Sequence, residues 1–255
     1  RVVLKVDDTA VRMDYFLRRA RLSNDDIDAA LQQLTYEQIV KIESEKMDLV
    51  VTNLEIDKTL LEAAASENVT ADNLKDPAYK TWYRDQLKST DLTAAQYRDR
   101  VRVNLLAQKI QSAITASLGD TAEQVHLYTI VLGSANNANQ AKARLEAGEP
   151  FASVAQSMSL DTSSKEAGGD WGWVPKGIFT SFDDTIFNLE IGQASKILVD
   201  SSSSTTYYYI FMVSEKDPAR PLEDTVKMTL GYNGFIAWLQ GQAAEHDIEY
   251  PMTSD

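Results

Sequence analysis

The sequence predicts an α+β protein with a helical first part and a compact mixed second part. Three observations carry that reading. Up to about residue 120, apolar residues recur at three- and four-residue steps, the period of helices with one buried face. Beyond residue 121 the chain turns to β-branched and aromatic runs, VHLYTIVL at 125–132 and YYYIFMV at 207–213. Such runs suit a pleated, packed strand. Between them lie two short helical patterns and a turn-rich segment, the make-up of a small α+β domain.

Residues 2–6 form a short β-rich run that ends in a turn at Asp7-Asp8. Met13, Phe16, Leu17 and Ala20 then share one helical face. A second helix, expected from about Asp25, carries Ile27, Leu31 and Leu34, and continues or restarts through Ile39 and Ile42. Thr52 with Glu55, and Thr93 with Gln96, match capping boxes, in which both side chains satisfy amides left open at a helix start. The first precedes Ile56, Leu60 and Leu61. The second precedes Tyr97, Val101, Leu105, Leu106, Ile110, Ala113 and Ile114, a long helix ending near Gly119. Between them, 68–77 reads as a turn region and 79–87 as a helix with Trp82, Tyr83 and Leu87 on its apolar side. Helices of this kind pack on one another or offer part of the apolar side to a client.

In the second part, residues 125–132 read as a buried strand. A helix at 138–147 stops at Gly148, and Pro150 opens a helix marked by Phe151, Val154, Ala155 and Met158. Gly192 marks a turn, 197–199 a short strand, 201–204 a polar turn and 207–213 the last strand. Pro218 and Pro221 mark 217–221 as a linker. Met228, Tyr232, Phe235, Ile236, Leu239 and Ala243 then form a helical stripe. Gly231, Gly234 and Gly241 each cost about 1 kcal/mol in a helix interior, so this helix needs tertiary support. Packing back on the N-terminal helices would supply it. The expected division is 1–120, 121–217 and 218–255.

Composition narrows the function. With 38 acidic against 25 basic residues the formal charge is −13, unsuited to nucleic acid or an anionic membrane surface. There is no cysteine, and His126 and His246 lack any ligand pattern, so no metal or cofactor is expected. No apolar run is long enough to span a bilayer. The chain opens at Arg1 directly into strand-like sequence, as expected of an exported protein whose leader or membrane anchor has been removed.

The most informative stretch is 159–187, SLDTSSKEAGGDWGWVPKGIFTSFDDTIF. A soluble protein does not leave that much aromatic area in water, so part is core and part can line an apolar pocket. Ser159-x-Asp161, Gly168-Gly169-Asp170-x-Gly172-Trp173, Phe182, Phe187, Ile191-Gly192 and the strand ending in Val213 together resemble the parvulin family of peptidyl-prolyl isomerases. The resemblance implies a four-stranded antiparallel sheet with helices over 121–217. The opening VVLKVDDTAV and the segment LTAAQYRDRVRVNLLAQKI are similar to the helical chaperone part of SurA- and PrsA-type extracytoplasmic foldases, in which a C-terminal helix completes the N-terminal domain.

Carried over residue by residue, the resemblance implies Asp161 as the central polar residue of the site. Thr129 and Tyr209 stand where the family has histidines. Trp171, Ile178, Phe179, Phe182, Phe187 and Thr206 would bind substrate. His126, three residues from Thr129 with odd strand parity, should face the other side of the sheet. Blander readings stay open: Asp161 as a turn cap, Phe187 as core, one of Trp171 and Trp173 as core, and Thr129 and Tyr209 as ordinary strand residues. The implied function is an extracytoplasmic folding factor that acts on unfolded or proline-containing polypeptides, without a cofactor, and that could form a homodimer. The alternative is an inactive parvulin-like binding module, since neither histidine is present.

Overall fold

The structure, a computed structural model, describes residues 1–24 and 26–251. In chain order the elements are β1 (Val2–Val6), β2 (Thr9–Arg12), α1 (Met13–Leu22), α2 (Ile27–Lys46), α3 (Asn53–Ser66), α4 (Pro77–Thr90) and α5 (Ala94–Ser117). There follow β3 (Thr121–Leu132), α6 (Ala135–Glu146), α7 (Phe151–Met158), β4 (Asp170–Pro175), α8 (Asp183–Asn188), β5 (Leu198–Asp200) and β6 (Tyr207–Pro221). The chain closes with α9 (Asp224–Glu245) and β7 (Ile248–Glu249). It divides into two compact units, Arg1–Ala116 with Gly234–Asp255, and Ser117–Asn233. The first boundary falls at the end of α5 and the second inside α9, whereas the sequence pattern places the breaks after 120 and 217.

In the first unit the local signals act as written. Thr52 and Glu55 close a capping box at α3, with the Thr52 amide 2.7 Å from the carboxylate. Thr93 and Gln96 exchange the same pair of bonds before α5. Pro77 occupies the first turn of α4, whose cap is Asp76. Asp25, the expected start of the second helix, lies outside the described residues. From Asp26, which accepts the Ala29 amide at 3.0 Å, α2 runs unbroken to Lys46. The helices bury Ala30, Leu34, Ile39, Ile56, Leu60, Val103 and Ile110 in one core, joined by Phe235 and Leu239 from the end of α9. Met228 and Tyr232 of the same stripe are exposed instead.

Two features of this unit carry no local signal. β2, β1 and β7 form a three-stranded sheet, so the last strand pairs with the first. Buried charges join the elements. Arg19 of α1 is 2% exposed and grips Glu37 of α2 with two bonds of 2.7 and 2.6 Å, while the Tyr15 hydroxyl accepts a third at 2.9 Å. His246 sets Nδ1 2.7 Å from Asp7 in the β1–β2 turn, and Nε2 lies 3.0 Å from a Glu43 carboxylate oxygen.

The second unit holds an antiparallel sheet in the order β4-β3-β6-β5. Alternation along β3 sends Ile130 and Leu132 under α6 and α7, with Ala138, Ala141, Phe151 and Val154. It sends Val125 and Leu127 to the other face, with Ile186, Phe211 and Val213. Residues 217–221 are not a linker. They extend β6, which pairs with β3 as far as Thr121↔Pro221. The prolines are tolerated because β5 covers only Tyr207 to Tyr209, leaving that side of β6 without a neighbour there.

Removing one partner of a buried charge pair strands the other, at a cost of about 3–5 kcal/mol. Arg19→Ala is therefore expected to lower the urea-unfolding free energy by that order. The double variant Arg19→Met with Glu37→Leu should recover most of the loss, and equal losses in both would refute the stranded-charge account.

Candidate functional site

The site begins where α7 ends. Ser159 is buried, and its Oγ accepts the amides of Val131 at 3.1 Å and Asp161 at 3.2 Å. The Leu160 amide donates to the Val131 carbonyl at 2.7 Å. These bonds staple the loop to β3 and set Asp161 at the rim of the sheet. Asp161 then closes its own turn. Oδ1 accepts from the Ser163 amide (3.1 Å) and hydroxyl (2.6 Å), and Oδ2 from the Ser164 hydroxyl (2.5 Å) and Trp171 Nε1 (2.7 Å).

The paired glycines explain how Trp171 reaches that carboxylate. The Gly169 carbonyl accepts the Thr129 amide at 2.8 Å, and its own amide donates to Ser164. Gly169 has φ +87°, and a Cβ there would lie 2.5 Å from the Thr129 carbonyl oxygen. Only a bare Cα lets the turn press against β3 this closely. The chain leaves it as β4, where the register slips at Trp171, between the pairs Leu127↔Gly172 and Tyr128↔Asp170, with Gly172 at φ +79°. This bulge breaks the alternation that would set Trp171 and Trp173 on one face, so Trp171 turns to Asp161 while Trp173 stacks on His126.

On the Asp161 side lies an open cleft of about 470 Å³, lined by Thr129, Val131, Leu160, Asp161, Trp171, Phe179, Tyr207 and Tyr209. Phe179 meets Trp171 edge to face at 5.1 Å. The Thr129 hydroxyl is buried, and no described residue hydrogen-bonds to it. Burial resists charging Asp161, but the hydrogen bonds from Ser163, Ser164 and Trp171 prevail and lower its pKa to about 2. Burial, assisted by the carboxylates of Asp200 and Asp161, raises the pKa of Tyr209, which stays a neutral donor.

Of the residues singled out in the sequence, the cleft brings together Asp161, Thr129, Tyr209, Trp171 and Phe179. The others lie elsewhere. Phe182 caps α8 and turns its ring inward, 5.3 Å from Tyr209 and 5.6 Å from Phe211, so it backs the wall without lining the opening. Phe187 and Ile178 pack against the same core beneath. Thr206 sits in the polar turn after β5, 3.3 Å from the Ser201 hydroxyl. Val131, Leu160 and Tyr207 were missed. Strand alternation from Thr129 and Tyr209 points to Val131 and Tyr207. Leu160 carried no signal beyond being an exposed apolar residue between two motif positions.

His126 is on the far face, as its parity requires. Its Nε2 is 2.8 Å from Asp170, and its ring stacks on Trp173, over which Arg220 lies at 4.2 Å. Among the described residues no group of three or more ligating side chains is placed to hold a metal ion.

A carboxylate with this many donors should titrate far below an ordinary aspartate. Its stabilising contribution is complete above the unfolded pKa, about 3.9, and is lost as pH falls through the folded value. A carboxyl-carbon NMR titration of Asp161 should show no step between pH 4.5 and 7. A midpoint at 4 or above would mean that the Ser163, Ser164 and Trp171 bonds are not made.

Residues 133–214 match the family described as Rotamase, PPIC-type PPIASE domain. The chain is 26% identical over 162 residues to the foldase protein PrsA of Caldanaerobacter subterraneus subsp. tengcongensis, covering 58% of this chain and 51% of that protein. It therefore spans about half the length of that relative. To the foldase protein PrsA of Geobacillus sp. it is 27% identical over 237 residues, covering 88% and 75%. The crystal structure of the peptidylprolyl isomerase PrsA from Bacillus anthracis superposes with a TM-score of 0.55 at 20% identity, over 84% of this chain and 96% of that one. That last likeness concerns the fold.

Proposed function

We propose that this chain, a PrsA-like protein whose residues 133–214 are a PPIC-type peptidyl-prolyl isomerase domain, is an extracytoplasmic folding factor. In this reading the second unit turns the bond preceding proline in client polypeptides, and the helical first unit holds the unfolded client. One observation carries it: an ionised carboxylate, three hydroxyls and four aromatic rings line a single open apolar cleft large enough for a proline ring. A chain without cysteine also suits an oxidising compartment. No described helix is long and apolar enough to cross a membrane.

The reaction needs no nucleophile. Resonance holds the peptide bond planar, with negative charge on the carbonyl oxygen, and the barrier to rotation is about 18–20 kcal/mol. Twisting moves charge off the oxygen and returns a lone pair to nitrogen. Trp171, Phe179, Val131 and Leu160 offer the proline ring an apolar seat in planar and twisted states alike. The fixed charge of Asp161 opposes negative charge on a nearby carbonyl oxygen, so it disfavours the planar form. The hydroxyls of Thr129 and Tyr209 are donors of the type that would stabilise the nitrogen lone pair. The Asp161 charge and the two hydroxyls act on the difference between planar and twisted states, which is what lowers a barrier.

A second reading, an inert peptide clamp, is favoured by two facts. Thr129 and Tyr209 replace the histidines of the resembling family, and Asp161 already accepts four hydrogen bonds, three from its own loop and one from Trp171 of β4. The measurement that separates the two is cis–trans exchange of a proline tetrapeptide followed by NMR. Asp161→Ala is expected to lower kcat/KM about tenfold or more, a loss near 1.4 kcal/mol. A wild-type rate equal to that in buffer, with peptide still bound, would leave only the clamp. Suppression of client aggregation that survives Asp161→Ala would assign holding to the first unit.

The carboxylates of Asp161 and Asp200 both act on the Tyr209 hydroxyl, so this side of the cleft has an acidic field. A Lys-Pro peptide should be a better substrate than Glu-Pro, by about three- to tenfold at low salt, and the gap should close as salt rises. A preference for Glu-Pro would contradict it.

A further inference from the structure

We infer that Asn233, on α9 and outside the matched rotamase residues, is a positioning residue for the cleft: it fixes the loop that carries Phe179 and so holds the apolar wall against Trp171. The inference rests on the cleft being the proline site. The loop between β4 and α8 is held at Gly177 from three sides. Its amide donates to Asp183 Oδ2 at 2.7 Å. Its carbonyl accepts from Asn233 Nδ2, also at 2.7 Å. Leu230, one turn earlier on α9, packs on the bare Cα, because a Cβ at Gly177 would lie 2.9 Å from Leu230 Cδ2. With φ +102°, Gly177 takes a backbone conformation that side-chain-bearing residues rarely adopt.

From there the path to the cleft is short. The Phe179 carbonyl accepts the amides of Phe182 at 2.7 Å and Asp183 at 2.8 Å, which ties the loop into a tight turn. Asp183 is buried and already spends Oδ2 on Gly177, so the turn is anchored to its own helix at one end and to α9 at the other. The Phe179 ring then meets Trp171 at 5.1 Å and Phe211 at 5.7 Å, and Trp171 donates to Asp161. The only polar tie from α9 to this loop among the described hydrogen bonds is the Asn233 amide. Without it the Gly177 carbonyl loses its partner and the aromatic wall loses its register.

A wall that contacts the proline ring equally in planar and twisted states contributes uniform binding, so its loss raises KM and leaves kcat nearly unchanged. In the full chain, Asn233→Asp is the sharp variant: it has the same shape but sets an acceptor against the Gly177 carbonyl. It should raise KM for a proline tetrapeptide about fivefold or more with kcat within about twofold, at least as strongly as Asn233→Ala. Asn233→Gln, which keeps an amide donor, should recover part of the loss. Acrylamide quenching of Trp171, taken as the difference from the Trp171→Phe protein, should rise about twofold in Asn233→Asp as the wall loosens. The quenching arm needs no turnover, so it tests the inference even if the wild-type chain proves not to isomerise, which would instead count against the proposed function. Unchanged quenching together with unchanged KM would overturn the positioning role. So would a fall in kcat that merely tracks the thermal midpoint.

Discussion

At Gly169 two backbones approach so closely that no side chain fits between them. The carbonyl meets the Thr129 amide at 2.8 Å, and a Cβ would strike the Thr129 oxygen. The cleft depends on that approach. It docks the turn after Asp161 onto the centre of the sheet, starts β4 in the register that aims Trp171 at Asp161, and leaves the Thr129 side chain facing the opening. A larger residue would push the turn off β3, and the carboxylate, the indole and the hydroxyl would no longer share a space.

The polar groups follow a consistent logic. Where the chain buries charge for architecture it pairs it, as with Arg19 and Glu37. The cleft combines two other arrangements. Asp161 is over-supplied with donors and so kept ionised, while Thr129 holds a buried hydroxyl with no partner among the described residues. A buried polar atom left open costs free energy in the empty protein, of the order of 1–3 kcal/mol. That cost is regained when a ligand supplies the missing partner. The combination suits a site that binds a peptide group and shifts its charge distribution.

The asymmetry between the two faces of the sheet has two origins. The two-residue period of β3 sends Thr129 and Val131 to the cleft and His126 and Tyr128 away from it, and the bulge of β4 at Trp171 separates that ring from Trp173. His126 is thereby engaged with Asp170, Trp173 and the Arg220 stack, and is no substitute for a histidine at the cleft. The catalytic question thus rests on hydroxyls.

By itself the sequence determined whatever depends on neighbours a few residues apart. The capping boxes at Thr52 and Thr93, the first-turn Pro77, the amphipathic helices, the two hydrophobic strands and the paired-glycine motif are all local, and all are found as written. Five of the eight residues that line the candidate cleft, Asp161, Trp171, Phe179, Thr129 and Tyr209, were implied by the family resemblance carried over residue by residue, not by spacing or periodicity. Tertiary structure decided the rest. β7 exists only because β1 offers it an edge, and β6 runs through two prolines only because no strand competes for their side. Phe182 and Phe187 have the composition of pocket residues, but the turn into α8 points them at the core. The difference is physical: hydrogen bonds and periodicity within one element are encoded in adjacent residues, whereas the direction an aromatic ring faces at a helix start depends on which distant surface has room for it.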